Sequence, residues 1–343
     1  MNIMKKGRKK NKKQKLSALI VLLMLTVVML SVATYAWFTA NNVVTISTLD
    51  VNVEAQSGLQ ISSDAITWKT VLSNADIAAA DLTYPAARNQ VPAILEPVST
   101  AGLLRGDGYL DIYNGVISAA SDSSGDYVVT ATPASETDGT SGYYIAFDMF
   151  LKTERDSQLY LTTDANVVPK TASPDRGLQN SARVAFVTMG NTAADSTPAQ
   201  IQALNGGNVG LTANKVYIWE PNYDVHTSFG IIAASAYGIT GLTTTGATQV
   251  PYKGIKAQIV SEIKIYDTDL PANSAFFETV VVAAKSKAIE TAYQPIFEVK
   301  TGVTKVRVYM YIEGQDVDCE NNASGTDISF NLQLSTLSAP PTP

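Results

Sequence analysis

Apolar and polar residues alternate along much of the chain with a period of two. "GYYIAFDMFLK" puts Tyr143, Ile145, Phe147, Met149 and Leu151 on one face and Tyr144, Ala146, Asp148, Phe150 and Lys152 on the other. "KVRVYMYIEG" sets Val306, Val308, Met310 and Ile312 against Lys305, Arg307, Tyr309 and Tyr311. "DISFNLQLS" sets Ile328, Phe330, Leu332 and Leu334 against Ser329, Asn331 and Gln333. Successive side chains of a strand point to opposite faces, so these runs predict strands with one face in the core and one toward water. "YVVTAT", "QLYLTT", "ARVAFVTM", "KVYIWE", "KAQIVSEIKIY", "FFETVVVAA" and "IFEVK" predict further strands. Turn-rich stretches separate them. Helical signals are short: Asn74–Leu82, Thr197–Asn205 with Thr197 as N-cap before Pro198, and "KSKAIETAY" from Lys285.

Many short strands joined by polar turns predict an all-β fold, an antiparallel sandwich of jelly-roll type with a few short helices in loops. The sandwich is expected over residues 56–335, with an insertion around 164–252, where the strand pattern is thinnest. The Pro-rich tail 336–343 is expected to be disordered, and it carries no sorting motif or apolar anchor.

The beginning of the chain breaks the pattern. Residues 1–15 hold eight basic side chains and no acid, and Leu16–Phe38 is a run of 23 residues without a charge. A basic head, an apolar middle and small residues at the end form a secretory signal. Ala36 and Thr34 suit the −1 and −3 positions, which places the cut before Trp37. The run is also long enough to span a bilayer, since about 20 apolar residues suffice. An uncut anchor, with Tyr35 and Trp37 at the interface, is the alternative. Either way residues 1–36 direct an exported chain, and the membrane is met only through them.

Removing the basic head changes the charge. The full chain carries 25 basic and 31 acidic residues; beyond residue 36, 17 basic residues face 31 acidic ones, a net charge of −14. Such a surface disfavours nucleic acid, which needs clustered Lys and Arg. With one cysteine, Cys319, the chain has no disulfide framework and must rely on its core.

Candidate chemistry is sparse. His226 is the only histidine, which excludes the HExxH metalloprotease arrangement; no GxSxG accompanies it, and it reads as a loop residue. Cys319 reads as a buried structural thiol. No enzymatic activity is expected. "EGQDVDCENNASGTD" offers Glu313, Asp316, Asp318, Glu320, Asn321 and Asp327 as oxygen ligands, and "YDTDLPANS" offers Asp267 and Asp269. Calcium takes six to eight oxygens from a loop, so Asp316, Asp318 and Glu320 are weak calcium candidates. The first run lacks the EF-hand glycine, and a solvated turn is the simpler reading. Arg105-Gly106-Asp107 reads as a turn. The Gly-rich "LNGGNVG" lacks the Lys-Ser/Thr of a phosphate loop. Trp68 and Trp219, with 16 tyrosines, are candidates for a sugar platform, although aromatics in strands are more often core.

"ATYAWFTANNVVTISTLDV", Ala33 to Val51, resembles the start of the TasA and camelysin-like biofilm matrix proteins of Gram-positive bacteria. The small-Thr-aromatic-Ala end of the signal is Ala33-Thr34-Tyr35-Ala36, the aromatic-led start is Trp37-Phe38-Thr39, and the Thr-Leu-Asp-apolar run is Thr48-Leu49-Asp50-Val51. The likeness covers roughly Lys5 to Val53. The chain departs from the pattern in having Ala33 where glycine is common. The resemblance implies cleavage by a SipW-type signal peptidase and a secreted jelly-roll subunit that polymerises with copies of itself at the cell surface. It also implies that the N-terminal segment adds as a strand to the next subunit.

The residues support a strand donor independently. In "NVVTISTLDVNVEA", Val44 and Ile46 share one phase and Leu49, Val51 and Val53 another, with a slip between them that suits a bulge or a hinge. Residues 37–55 are therefore a candidate donor strand; the other reading makes them the first strand of their own domain. A surface adhesin or carbohydrate-binding sandwich that does not polymerise is the alternative function. A type IV pilin is disfavoured, because "NKKQKLSALIV" lacks the processing Gly and the following Glu.

Overall fold

The computed structural model describes residues 44–45 and most of 59–336; within that span 93, 123–126, 135–140, 163, 171–174, 207–215, 237–239, 248, 250–251, 265–273, 281–294, 321–322 and 324–325 are not described. The strands, numbered along the chain, are almost all antiparallel. The central sheet has the order β12-β11-β17-β8-β2, formed by Val216–Trp219, Ala182–Thr192, Gly302–Ile312, Ile145–Thr153 and Gln60–Ser62. Its two longest strands, β11 and β17, pair from Ala182↔Ile312 to Thr192↔Val303, with a bulge between Thr188 and Gly190.

One face of this sheet carries the apolar positions of the alternating runs. Ile145, Phe147, Met149, Val184, Phe186, Val306, Val308 and Met310 pack there in a single core with Leu159, Leu161, Val167, Phe297, Phe330 and Leu334. The opposing residues come from a three-stranded sheet β16-β9-β19 (Phe297–Val299, Ser157–Leu161, Leu334–Ser335) and a two-stranded one, β10-β18 (Asn166–Pro169, Ile328–Asn331). This is the sandwich that the alternation predicts.

The other face is not open to water. Tyr144, Ala146, Ala185, Val187, Tyr309 and Tyr311 form a second core with Val98, Leu110, Ile112, Tyr252 and Val280. Leu110 and Ile112 lead into β5, and the others come from a third layer: the sheet β14-β6-β5-β4 (Ile259–Lys264, Tyr127–Pro133, Tyr113–Ala119, Val98–Ser99) and the pair β13-β15 (Tyr252–Ile255, Phe277–Val280). Tyr113, Ile117, Val129, Ile255, Ile259 and Phe277 fill a core between those two sheets. Every residue of β17 is consequently buried. The expectation of a solvent-facing side on the central strands is corrected: alternation distinguishes two faces, and here the more polar one faces a third layer.

That polar face stays buried because its charged groups are paired with one another. Asp148 accepts from Arg307 Nη1 at 3.0 Å and from the Tyr84 hydroxyl at 2.8 Å, and Lys305 Nζ lies 3.2 Å away. Arg307 and Lys305 hold the Asp148 carboxyl below the usual carboxylate range against the burial that would raise it.

Two short helices match the sequence signals. Ser73 caps α1 (Asn74–Ala78) in a capping box with Asp76, and Thr197 caps α2 (Pro198–Gln202) in one with Gln200. A third helix, α3 (Ser228–Ala236), was not foreseen. The stretch 164–252, read as holding an insertion, contributes β10, β11 and β12, with β11 inside the central sheet; its non-strand part includes the two helices α2 and α3. The helical signal from Lys285 and the tail 337–343 lie outside the described residues.

The remaining sheet is small and reaches the main core through Leu95. It has the order β1-β3-β7, from Val44–Thr45, Ile94–Leu95 and Ser141–Gly142. Val44 pairs with Leu95 and Thr45 with Ile94, antiparallel, while β3 and β7 pair in parallel.

Candidate functional site

The residues singled out from the sequence fall mainly in two places: the N-terminal strand and the acidic turn after β17. Of the N-terminal candidates only Val44 is described. Thr34, Ala36, Trp37, Ile46, Leu49, Val51 and Val53 lie outside the described residues. β1 meets the body through two residue pairs on one edge of β3, and the 13 residues 46–58 join it to the start of the described body at Leu59.

The acidic turn is not solvated, as the sequence reading had it. Glu313, Asp316, Asp318, Cys319 and Glu320 are all buried. The backbone N–H of Glu313 donates to the Ser181 carbonyl and that of Gly314 to the Val98 carbonyl, and turns Asp316→Glu313 and Cys319→Asp316 close the run on itself. Folding the turn inward sets its carboxylates against Arg183, in β11, which is itself buried.

Arg183 Nη2 donates to Glu220 Oε1 at 2.6 Å and to Asp316 Oδ2 at 2.5 Å, Nη1 donates to the carbonyls of Asn180 and Ala182, and the guanidinium lies 5.2 Å from the centre of the Tyr252 ring. A guanidinium offers five donors in a planar fork, which suits a buried cation shared by two acids. Glu220 also accepts from Gln249 Nε2. Burial raises the Glu220 pKa, with Arg183 opposing. Glu313 stands at the end of β17 with no exposed surface; burial pushes its carboxyl up to about 8, although the Gln315 N–H, Ser99 and Arg183 pull it down. Its carboxyl is therefore held toward the protonated form near neutral pH.

Asp318 ties the turn to α3. It accepts from His226 Nδ1 at 2.9 Å, from the Thr227 N–H at 2.7 Å and from the Thr227 hydroxyl at 2.8 Å. Thr227 Oγ1 in turn accepts from the Gly230 N–H in the first turn of α3. A Cβ at Gly230 would lie 2.5 Å from Asp318 Oδ1, so the close approach of helix and carboxylate needs glycine. Burial draws the His226 pKa down, but Asp318, with Asp316 and Glu220 behind it, more than offsets this and raises it above the ordinary histidine value. Burial raises the Asp318 pKa, with His226 and Thr227 opposing. His226 is thus a buried partner of the acidic turn, not the ordinary loop residue read from sequence.

The chemistry open to this arrangement is limited. An Asp–His pair activates a hydroxyl or thiol through the second ring nitrogen; His226 Nε2 is buried and has no hydrogen-bond partner among the described residues. Among the described residues no three His, Cys, Asp or Glu side chains are placed to hold a metal ion. Asp316 and Asp318, two of the calcium candidates, spend their oxygens on Arg183, His226, Thr227 and the turn's own N–H groups. Glu320 is buried beside them, and Asn321, Asp267 and Asp269 lie outside the described residues. Arg105 closes back on Asp107 through Nε and Nη2, which makes the Arg-Gly-Asp run a self-paired turn. Trp219 is 1% exposed and belongs to the core, so it offers no sugar platform; Trp68 is partly buried, with Lys152 Nζ 5.4 Å from its ring centre.

Sequence reasoning named the acids of the turn but missed Arg183, Glu220 and the partnership with His226. Arg183 stands alone in the apolar run "ARVAFVTM", and an isolated charge in an apolar strand was the available signal. No family model matches the chain, and no curated protein matches it.

Proposed function

We propose that the chain is an exported structural subunit that polymerises into an extracellular filament by passing its N-terminal strand to a neighbour. The observation that supports this most is the place of β1. It lies on the edge of a three-stranded sheet, held by two residue pairs. Among the described residues its departure breaks only those two residue pairs, one of them with the core residue Leu95. The 13 residues 46–58 reach roughly 45 Å when extended. That length lets the same strand pair with β3 of its own chain or with β3 of another.

The exchange would follow export. The basic head and the apolar run hold the strand at the membrane until the cut before Trp37 frees it. The contact is head-to-tail and does not close on itself, so it builds filaments rather than dimers. Insertion of Val44, Ile46, Leu49 and Val51 into a neighbour contributes about 1.5–3 kcal/mol for each buried aliphatic side chain, before ordering costs. Main-chain ladder bonds add to it.

The test is the pair Val44→Asp with Ile46→Asp. A buried unpaired carboxylate costs several kcal/mol. The variant is expected to fold, by circular dichroism, and to form no filaments under negative-stain microscopy. Normal filaments from the variant would refute strand donation, and failure to fold would assign the segment to its own domain's core.

A further inference from the structure

The edge of β3 that meets β1 runs on past the strand, back toward Arg88. The Gln90 N–H donates to the Ala146 carbonyl at 2.7 Å, the Gln90 carbonyl accepts from the Ala146 N–H at 3.0 Å, and the Glu96 N–H donates to the Gly142 carbonyl at 3.0 Å. Main-chain groups alternate sides along an extended segment. The even-numbered residues therefore face β7 and β8, and Asn89, Val91 and Leu95 face the opposite edge. Val44 meets Leu95 there. The main-chain groups of Asn89 and Val91 have no hydrogen-bond partner among the described residues, and the Val91 side chain is 36% exposed. An unpaired edge of this kind is a template for another strand.

The sequence that follows β1 has the pattern to fill it. Val44 stands opposite Leu95 of the main core, and Ile46 shares its phase. Leu49, Val51 and Val53 fall on the other face unless one extra residue is accommodated, as a β-bulge, between Ile46 and Leu49. With that bulge Leu49 comes opposite Val91, Val51 opposite Asn89 and Asn52 opposite Arg88. All five apolar side chains then share the face of Leu95 and Val91. Asp50 and Glu54 take the other face, at the two positions diagonal to Arg88, which a long side chain reaches. Without the bulge Val51 would stand opposite Arg88, and both acids would point away from it.

Arg88 is ready for such partners. Three guanidinium groups surround the Tyr109 ring: Arg88 at 4.8 Å from its centre, Arg307 at 5.0 Å and Arg105 at 5.9 Å. Arg307 is paired with Asp148 and Arg105 with Asp107, whereas the exposed Arg88 has no ion pair among the described residues. Residues 39–63 carry two acids, Asp50 and Glu54, and no Lys or Arg. From the register, the apolar phase and this charge match we infer that the edge over residues 88–91 is the seat of residues 49–54, with Arg88 holding Asp50 and Glu54. The inference deepens the strand-donation reading and rests on it for which chain supplies the segment.

The test is a disulfide scan in the full chain, purified in detergent. Leu49→Cys with Val91→Cys joins the residues opposed in the bulged register, and Thr48→Cys with Val91→Cys those opposed without the bulge. Opposed residues lie about 4.5–5.5 Å apart at Cα, within disulfide reach. Oxidation in a glutathione buffer, with mass spectrometry of the linked peptides, should show the 49–91 link forming about tenfold faster than the 48–91 link, because an error of one residue turns the side chain to the other face. Arg88→Glu should slow the 49–91 link about fivefold at low salt, and adding Asp50→Lys with Glu54→Lys should restore it. A 48–91 link as fast as the 49–91 link overturns the inference. So does the absence of both, or a 49–91 rate that ignores Arg88→Glu. A non-reducing gel separates this result from the strand-donation reading. A 49–91 link confined to monomers supports the seat and refutes donation, whereas normal filaments that yield no 49–91 link refute the seat alone.

Discussion

Replacing Glu313 with Gln should make the protein more stable in alkali and nearly unchanged in acid. Burial holds the Glu313 carboxyl up to about 8, against an ordinary value of 4.5. Between those two values the folded chain keeps a proton that the unfolded chain has released, so unfolding releases it and stability falls as the pH rises. Below the window both states are protonated and the loss is absent; above about 8 it is complete. At about 1.4 kcal/mol per pH unit, a displacement of this size is worth roughly 5 kcal/mol. The glutamine amide keeps an oxygen for the Gln315 N–H, which Glu313 Oε1 accepts at 3.0 Å, and carries no charge at any pH. Urea unfolding of both proteins, followed by circular dichroism from about pH 5 to about pH 9, gives the difference directly, to within the 10–15% uncertainty of extrapolation. The variant should gain on the parent by several kcal/mol across that range. A difference that stays constant within about 0.5 kcal/mol, the size of an ordinary surface substitution, would show that Glu313 is not a buried neutral acid.

Two further outcomes follow from the same turn. Arg183→Met strips Glu220 and Asp316 of their shared cation and should cost about 3–5 kcal/mol at neutral pH, the scale for breaking a buried pair from one side; urea unfolding should show part of that loss recovered in acid, where the carboxyls protonate. The imidazole of His226 should titrate above the ordinary histidine value, because Asp318 outweighs burial. Its stabilising effect is therefore full below about 6.5 and fades as the pH rises through the folded value. In Asp318→Asn the NMR titration should move down, and a wild-type midpoint below 6.5 would contradict the assigned pairing.

The layers that alternation could reveal were legible. β8 and β17 follow their alternating runs, and the capping boxes at Ser73 and Thr197 start helices where the sequence places them. Period-two patterning separates two faces of a strand but does not say what covers each. Lys305, Arg307 and Asp148 looked like a wet face, and only their mutual pairing across β8 and β17 makes burial tolerable. That pairing depends on register between strands 157 residues apart at Asp148 and Lys305, which local pattern does not carry. The acidic turn was misread for the same reason. Asp316 and Asp318 look solvated until Arg183 and His226, 133 and 92 residues earlier, are brought beside them. α3 escaped notice because "SFGIIAASA" combines a glycine with apolar residues on several sides and gives no clean helical stripe. β5, "YNGVISA", carries a glycine and an asparagine inside the strand, both depleted in strands.

Strand exchange is tested most directly by asking which chain's β3 receives β1. Thr45 and Ile94 are register partners. The only native thiol, Cys319, is buried, so cysteines placed at these two positions report on the ladder alone. Thr45→Cys and Ile94→Cys would be made in separate chains, mixed in equal amounts, assembled into filaments and oxidised. Exchange between subunits predicts disulfide-linked dimers that contain one chain of each kind, seen on a non-reducing gel and confirmed by mass spectrometry of the linked peptides. Filaments that form normally but yield no such mixed dimer would contradict it, because β1 would then remain paired within its own chain.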